Sequence, residues 1–217
     1  GGHDSGVAAI AAHRCRQIAL GLSAPAQRAR GAVKRSNFAI GAGGGDDAGL
    51  VDDVLDRDGD AVQRSVVETG LPVCIQRRVA GLPQLEVLLR RYPKATLVID
   101  HFMSVPLESG PPYPDAEPLF SLVRHENLHL KLTPIIIDGA RKGAATPQTF
   151  FPRVLRAFGA NRIAWGSNFP TNAGTLAGLL RTSLEALNFA SSDELDAVFC
   201  DTAEKLYPAL TRCATRA

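Results

Sequence analysis

Three short apolar runs in this chain end in, or carry, groups that can do chemistry. Leu97-Val-Ile-Asp-His101 delivers an imidazole at its end. Arg162-Ile-Ala-Trp-Gly-Ser-Asn-Phe-Pro170 delivers a carboxamide, Asn168, at a turn closed by proline. Leu128-His-Leu-Lys-Leu-Thr133 alternates polar residues with leucine. A neutral imidazole near physiological pH serves either as a metal ligand or as a general base, so His101 is the first catalytic candidate. Its plainer role is a histidine hydrogen-bonded to backbone in a strand-end turn. Asn168 is either a substrate contact or an asparagine that shapes the turn. Lys131, a lysine between leucines on a buried strand, needs an anionic partner, which is a substrate or an internal ion pair.

The elements that position these groups follow from periodicity. Runs of β type at Val73 to Gln76, Thr96 to His101, Leu128 to Thr133 and Arg162 to Asn168 recur at roughly 25 to 35 residues, room for one crossover helix each. A weaker fifth strand is expected near Ala32 to Ala39. Between them, Leu85, Leu88, Leu89 and Tyr92 share a helical face that Pro93 ends, and Leu119, Leu122 and Val123 repeat the pattern after Asp115. Thr146-Pro147 reads as an N-cap with proline at the first helical position, ahead of an inward face of Phe150, Phe151, Val154, Leu155 and Phe158 that Gly159 closes. Leu176, Leu179, Leu180, Leu184 and Leu187 form the next stripe. Ser191 with Glu194 has capping-box spacing ahead of Leu195, Val198 and Phe199.

Strands alternating with helices predict a parallel α/β sheet, whose chemistry gathers at the C-terminal strand ends. The two-residue strand period then sorts the side chains. Cys74, Gln76, His129, Lys131, Thr133, Ala164, Gly166 and Asn168 point to an inner face. Leu128, Leu130, Leu132, Ile163 and Trp165 point to the helices. Gln76, Lys131 and Thr133, with Arg78 on the loop beyond Gln76, are the candidate substrate-binding residues. His125 is expected at a helix end and His129 as a strand filler, and His3 and His13 take no role.

With 217 residues and 45% hydrophobic content the chain can bury a sizeable core, yet it falls short of the roughly 250 residues of a full eight-fold β/α barrel. A net charge of +2 with scattered charges excludes a nucleic-acid footprint or polybasic membrane patch, leaving a small molecule as the partner. No apolar run approaches a membrane span and no signal-peptide order is present, so a cytoplasmic protein is expected. Cys15, Cys74, Cys200 and Cys213 form no CxxC pair and are expected to be reduced. Residues 1–50, with a basic segment and Gly41-Ala-Gly-Gly-Gly45, are expected to be irregular, and residues 51–217 to form one domain. Gly1 is not an initiator methionine, and an internal cut through a longer reading frame is the expectation.

Taken together, these motifs resemble the amidohydrolase-related family of β/α barrels, the branch with dicarboxylate lactone hydrolases and decarboxylases. Gly70-Leu-Pro-Val-Cys-Ile-Gln76 looks like that family's fifth strand, Leu97 to His101 like its Ile-Asp-His strand, and Ser109-Gly-Pro-Pro-Tyr113 like the loop that follows. Asn127 to Pro134 is similar to its Lys-Leu-Thr strand, Arg162 to Pro170 to its Trp-Gly-Ser-Asp/Asn-x-Pro strand, and Thr202-Ala-Glu-Lys-Leu-Tyr207 to its C-terminal helix. The resemblance implies an incomplete (β/α)8 TIM-type barrel lacking its first two or three βα units. It also implies a hydrolase acting on a lactone or amide of a small carboxylated compound, with His101 in the place of a metal-binding histidine and Asn168 in that of a terminal carboxylate. In such enzymes a divalent metal, often zinc, lowers the pKa of a bound water. Some relatives hydrolyse lactones without metal.

Two departures shape the expectation. There is no His-x-His in the chain, and Asn168 replaces a carboxylate with a neutral amide, a weaker ligand that is unable to act as a base. A metal-independent or weakly metallated reaction, with activity impaired in this chain alone, is therefore expected. The alternatives are a non-oxidative decarboxylase on the same scaffold and a degenerate, non-catalytic barrel used for binding or assembly. Exposed sheet edges would favour a homo-oligomer.

Overall fold

The structure, a computed structural model, describes residues 40–41, 71–76 and 78–207. Five parallel strands form one sheet: β1 (Ile40–Gly41), β2 (Val73–Gln76), β3 (Leu97–Asp100), β4 (Leu128–Leu132) and β5 (Ile163–Trp165). They lie side by side in sequence order, each hydrogen-bonded to the next, as successive right-handed crossovers in one direction would lay them down. The expected strand at 32–39 lies outside the described residues. Of the segment 1–50, only residues 40–41 are described, in β1. The expected runs are trimmed at their ends: β3 stops at Asp100, β4 at Leu132 and β5 at Trp165.

Helices cover one face. These are α1 (Leu82–Arg91), α2 (Glu117–Phe120, flanked by 3-10 turns at Pro114–Ala116 and Ser121–Arg124), α3 (Pro134–Gly139), α4 (Pro147–Phe158) and α5 (Leu176–Ala186). Against them β2 to β5 turn Val73, Ile75, Leu97, Ile99, Leu128, Leu130, Leu132 and Ile163, all buried in one cluster with Leu85 and Leu89 of α1 and the five apolar residues expected on α4. Each such side chain contributes about 1.5–3 kcal/mol relative to leaving it in water. Thr146 caps α4 with a full capping box and Ser191 does the same for the last helix, as their spacing predicts. The Arg162 guanidinium ties the layers together by donating to the carbonyls of Phe158, Val123 and His125.

The last helix contains α6 (Ser192–Asp196), a π segment (Ala197–Asp201) and α7 (Thr202–Leu206) without a break. The wider π turn shifts the helical phase. Val198, Phe199 and Cys200, three residues in a row, are therefore buried in the main core, with Phe199 stacked near Trp165. Leu206 then reaches the other face of the sheet, where it packs with Val98 and Ala164, against Cys74, Ala203 and Tyr207. The inner face is thus partly filled by the end of the chain's own last helix. Cys74 and Cys200 carry thiols rather than disulfides. No helix among the described residues is long and apolar enough to cross a membrane.

Candidate active site at the strand ends

Register fixes the layers of the inner face. Val98 pairs with His129, and one layer nearer the C-terminal edge Asp100 pairs with Lys131 and Lys131 with Ala164. Thr133 and Gly166 come next, linked by the Gly166 N–H, which donates to the Leu132 carbonyl. A Cβ on Gly166 would stand 3.1 Å from Lys131 Cδ, so glycine here makes room for the lysine stem.

Lys131 finds its anionic partner in the protein. Its ammonium is ion-paired with Asp100 and lies 3.6 Å from Cys74 Sγ, which in turn is 3.2 Å from the Tyr207 hydroxyl. Burial pulls the lysine pKa down, but the Cys74 sulfur and the Asp100 carboxylate outweigh it and hold the pKa above the ordinary value. Burial raises the Tyr207 pKa, and the contact with Cys74 and the charge of Asp100 add to the effect. Lys131 is therefore a charged group on the inner face, and Tyr207 a neutral one.

His101 sits above this pair. Strict alternation from Val98 turns Asp100 inward and would turn His101 toward the helices. The chain instead leaves the extended region at this residue: His101, Phe102, Met103 and Ser104 all have φ between 50° and 58°, a left-handed turn of four non-glycine residues. Such a run is costly for L-residues and persists because Phe102 and Met103 are fully buried in the core. The turn aims His101 back across β4, where its Nδ1 lies 2.8 Å from Thr133 Oγ1. The residue is only 8% exposed. Burial lowers its pKa, the Asp100 carboxylate partly opposes this, and the Lys131 ammonium adds to the lowering. The result is a neutral imidazole at pH 7.

Asn168 lies beyond the end of β5, half-buried, with φ 51°. Its Nδ2 donates to Asn172 Oδ1 at 2.6 Å, and its backbone carbonyl accepts from the Asn172 backbone N–H, so the residue shapes the turn. Two strand spacings, on the order of 10 Å, separate the end of β3, which leads into His101, from the end of β5, which leads into the turn that holds Asn168. Gln76, at the end of β2, and Arg78 just beyond it are exposed at that same edge. Thr133 is buried, as is His101, while the amide of Asn168 belongs to a separate turn.

Two participants escape the sequence reading. Asp100 shows itself as soon as the period-two rule is applied to β3 from Val98. Tyr207 carries no such signal, because it arrives from a helix end far along the chain.

The metal centre implied by resemblance has no ligand set among the described residues. Among the described residues, no three His, Cys, Asp or Glu side chains converge in a way that could hold a metal ion. His101 has one nitrogen engaged by Thr133, and Asn168 offers an amide already bonded to its neighbour.

The chain is 33% identical over 92 residues to the L-fucono-1,5-lactonase of Burkholderia ambifaria, an overlap of 42% of this chain and 32% of the lactonase. Its fold superposes on a zinc-bound amidohydrolase from Burkholderia multivorans with a TM-score of 0.56 at 22% identity, covering 75% of this chain and 61% of that one. A probable 2-pyrone-4,6-dicarboxylic acid hydrolase from Acinetobacter baumannii, with citric acid bound, superposes with a TM-score of 0.53 at 22% identity, covering 71% and 59%. The chain thus spans under two thirds of the length of each of these relatives. An amidohydrolase family model matches residues 6–209, nearly the whole of the sequence, and the chain belongs to the amidohydrolase family.

Proposed function

We propose that this chain carries the hydrolytic end of a β/α barrel that opens a lactone, or cleaves an amide, of a small carboxylated compound. The five strands, laid in sequence order, are read as adjoining staves of an incomplete (β/α)8 barrel. The observation that carries the reading is His101: buried, neutral at pH 7 and held by Thr133 at the C-terminal edge of a parallel sheet. In β/α barrels that edge is where substrates bind. The lactonase overlap supports an acyl substrate, and the citrate-bound relative a carboxylated one.

His101 accepts a proton from water as the oxygen adds to the acyl carbon, and returns it to the leaving oxygen or nitrogen as the tetrahedral intermediate collapses. An amide has two N–H donors. One of Asn168's is used by Asn172, and the second would stabilise the developing oxyanion. Arg78, exposed beyond β2, is the anchor for a substrate carboxylate, with Gln76 beside it. Lys131 and Thr133 stand beneath the ligand. Lys131 lends positive potential that Asp100 partly cancels.

The test is acid release from a panel of lactones, including L-fucono-1,5-lactone and 2-pyrone-4,6-dicarboxylate, followed with a pH indicator. His101→Ala should lower kcat by about a hundredfold or more without lowering the melting temperature by more than a few degrees. Undiminished turnover by a folded His101→Ala variant overturns the reading.

A further inference from the structure

Two threonine-proline pairs in this chain begin helices, and only one threonine caps. Thr146, ahead of Pro147, accepts from the Thr149 N–H and completes a capping box. Thr133, ahead of Pro134, holds the equivalent position on α3 with extended φ and ψ of −134° and 163°, yet makes no side-chain cap. Its backbone has the conformation that capping requires, and a threonine cap is ordinarily stabilising. The hydroxyl turns instead to His101 Nδ1, 2.8 Å away. Thr133 is 1% exposed and His101 8%, so solvent does not compete for this bond.

We infer that Thr133 is a positioning residue: its hydroxyl accepts the Nδ1–H of His101 and so fixes the ring in the tautomer whose Nε2 lone pair faces the strand-end site. The inference rests on the hydrolytic reading of His101 given above. An imidazole whose ring is free can place either nitrogen, or either tautomer, toward a substrate. Only the Nδ1–H form presents an acceptor at Nε2. The left-handed turn sets the position of the ring. Thr133 selects which nitrogen is basic, and α3 gives up its cap in exchange. The inner-face location assigned to Thr133 by strand alternation fits this contact, with the hydroxyl acting on the histidine and not directly on substrate.

The tautomer is read by long-range proton–nitrogen correlation spectra of the full chain labelled with ¹⁵N-histidine, His101 being assigned through the signal lost in His101→Ala. The wild type should show His101 as a single Nδ1–H form. Thr133→Val, which keeps the shape and removes the hydroxyl, should give a mixture with the Nε2–H form, and Thr133→Ser should restore the single form. In the lactone assay, Thr133→Val should lower kcat by about tenfold, the worth of one hydrogen bond, with KM little changed, and Thr133→Ser should recover it. A wild-type Nε2–H form overturns the inference with no variant needed. So does a Thr133→Val spectrum that keeps the Nδ1–H form. Failure of the hydrolytic reading is a separate outcome, seen as undiminished turnover in His101→Ala, and it leaves the spectra to judge the positioning on their own.

Discussion

Asp100 and His101 are neighbours in sequence with opposite fates: the carboxylate is ion-paired with Lys131, the imidazole is held neutral by burial. The first makes a stability prediction. Asp100 and Lys131 side chains are 18% and 27% exposed, so removing one partner strands a charge that water reaches poorly. Lys131→Met should cost about 1–3 kcal/mol by denaturant unfolding, and most of that should return in the Lys131→Met, Asp100→Asn double variant. The second makes a pH prediction. His101 and His129 both have pKa values lowered by burial below their unfolded value, so between the folded and unfolded values the unfolded chain binds more protons. Stability should therefore be complete above about pH 7, decline as pH falls through about 6.5 and below, and level off once the folded histidines protonate too. Replacing both histidines with glutamine should flatten that slope, as thermal melts across pH 5 to 8 would show. Hydrolysis, in turn, should stay level through neutral pH and fall only in acid. His101 was legible from its place at a strand end. What it touches was not, because a positive φ at a non-glycine residue breaks the alternation by which the neighbouring side chains were sorted.

At the scale of elements, the capping signals were legible where the hydroxyl does what its position suggests. Thr146→Ala should destabilise the protein by about 1 kcal/mol, measured as a shift of the urea midpoint at unchanged slope. The helix α3 was not foreseen, even though Thr133-Pro134 is the same signal as Thr146-Pro147. Ile135, Ile136 and Ile137 lose side-chain freedom in a helix, and tertiary burial of Ile136 and Ile137 overrides that propensity. The π segment was equally hidden, since Leu195, Val198 and Phe199 read as an ordinary helical face. Burial of Cys200 next to Phe199 is what the regular period would not produce.

For the whole molecule, the parallel order of the sheet followed from strands spaced by helices, and the main core from the helical stripes, because burial acts on patterns local to each element. The filling of the inner face joins the end of the last helix to strand residues about forty and about a hundred positions earlier, and no local pattern encodes it. Leu206 is the centre of that contact, packed with Val98 and Ala164. Leu206→Ala should cost about 2–4 kcal/mol by denaturant melt, more than a surface helix end would. A cost within about 0.5 kcal/mol would mean that the last helix merely rests on the sheet.

The most direct test of the account is a crystal structure of the protein soaked with the ring-opened acid of whichever lactone it turns over. The account predicts the newly formed carboxylate at the C-terminal edge of the sheet, within about 3 Å of His101 Nε2, hydrogen-bond distance for a proton-transferring group. Acid bound on the helical face, or at the sheet edge but beyond reach of His101, would contradict it.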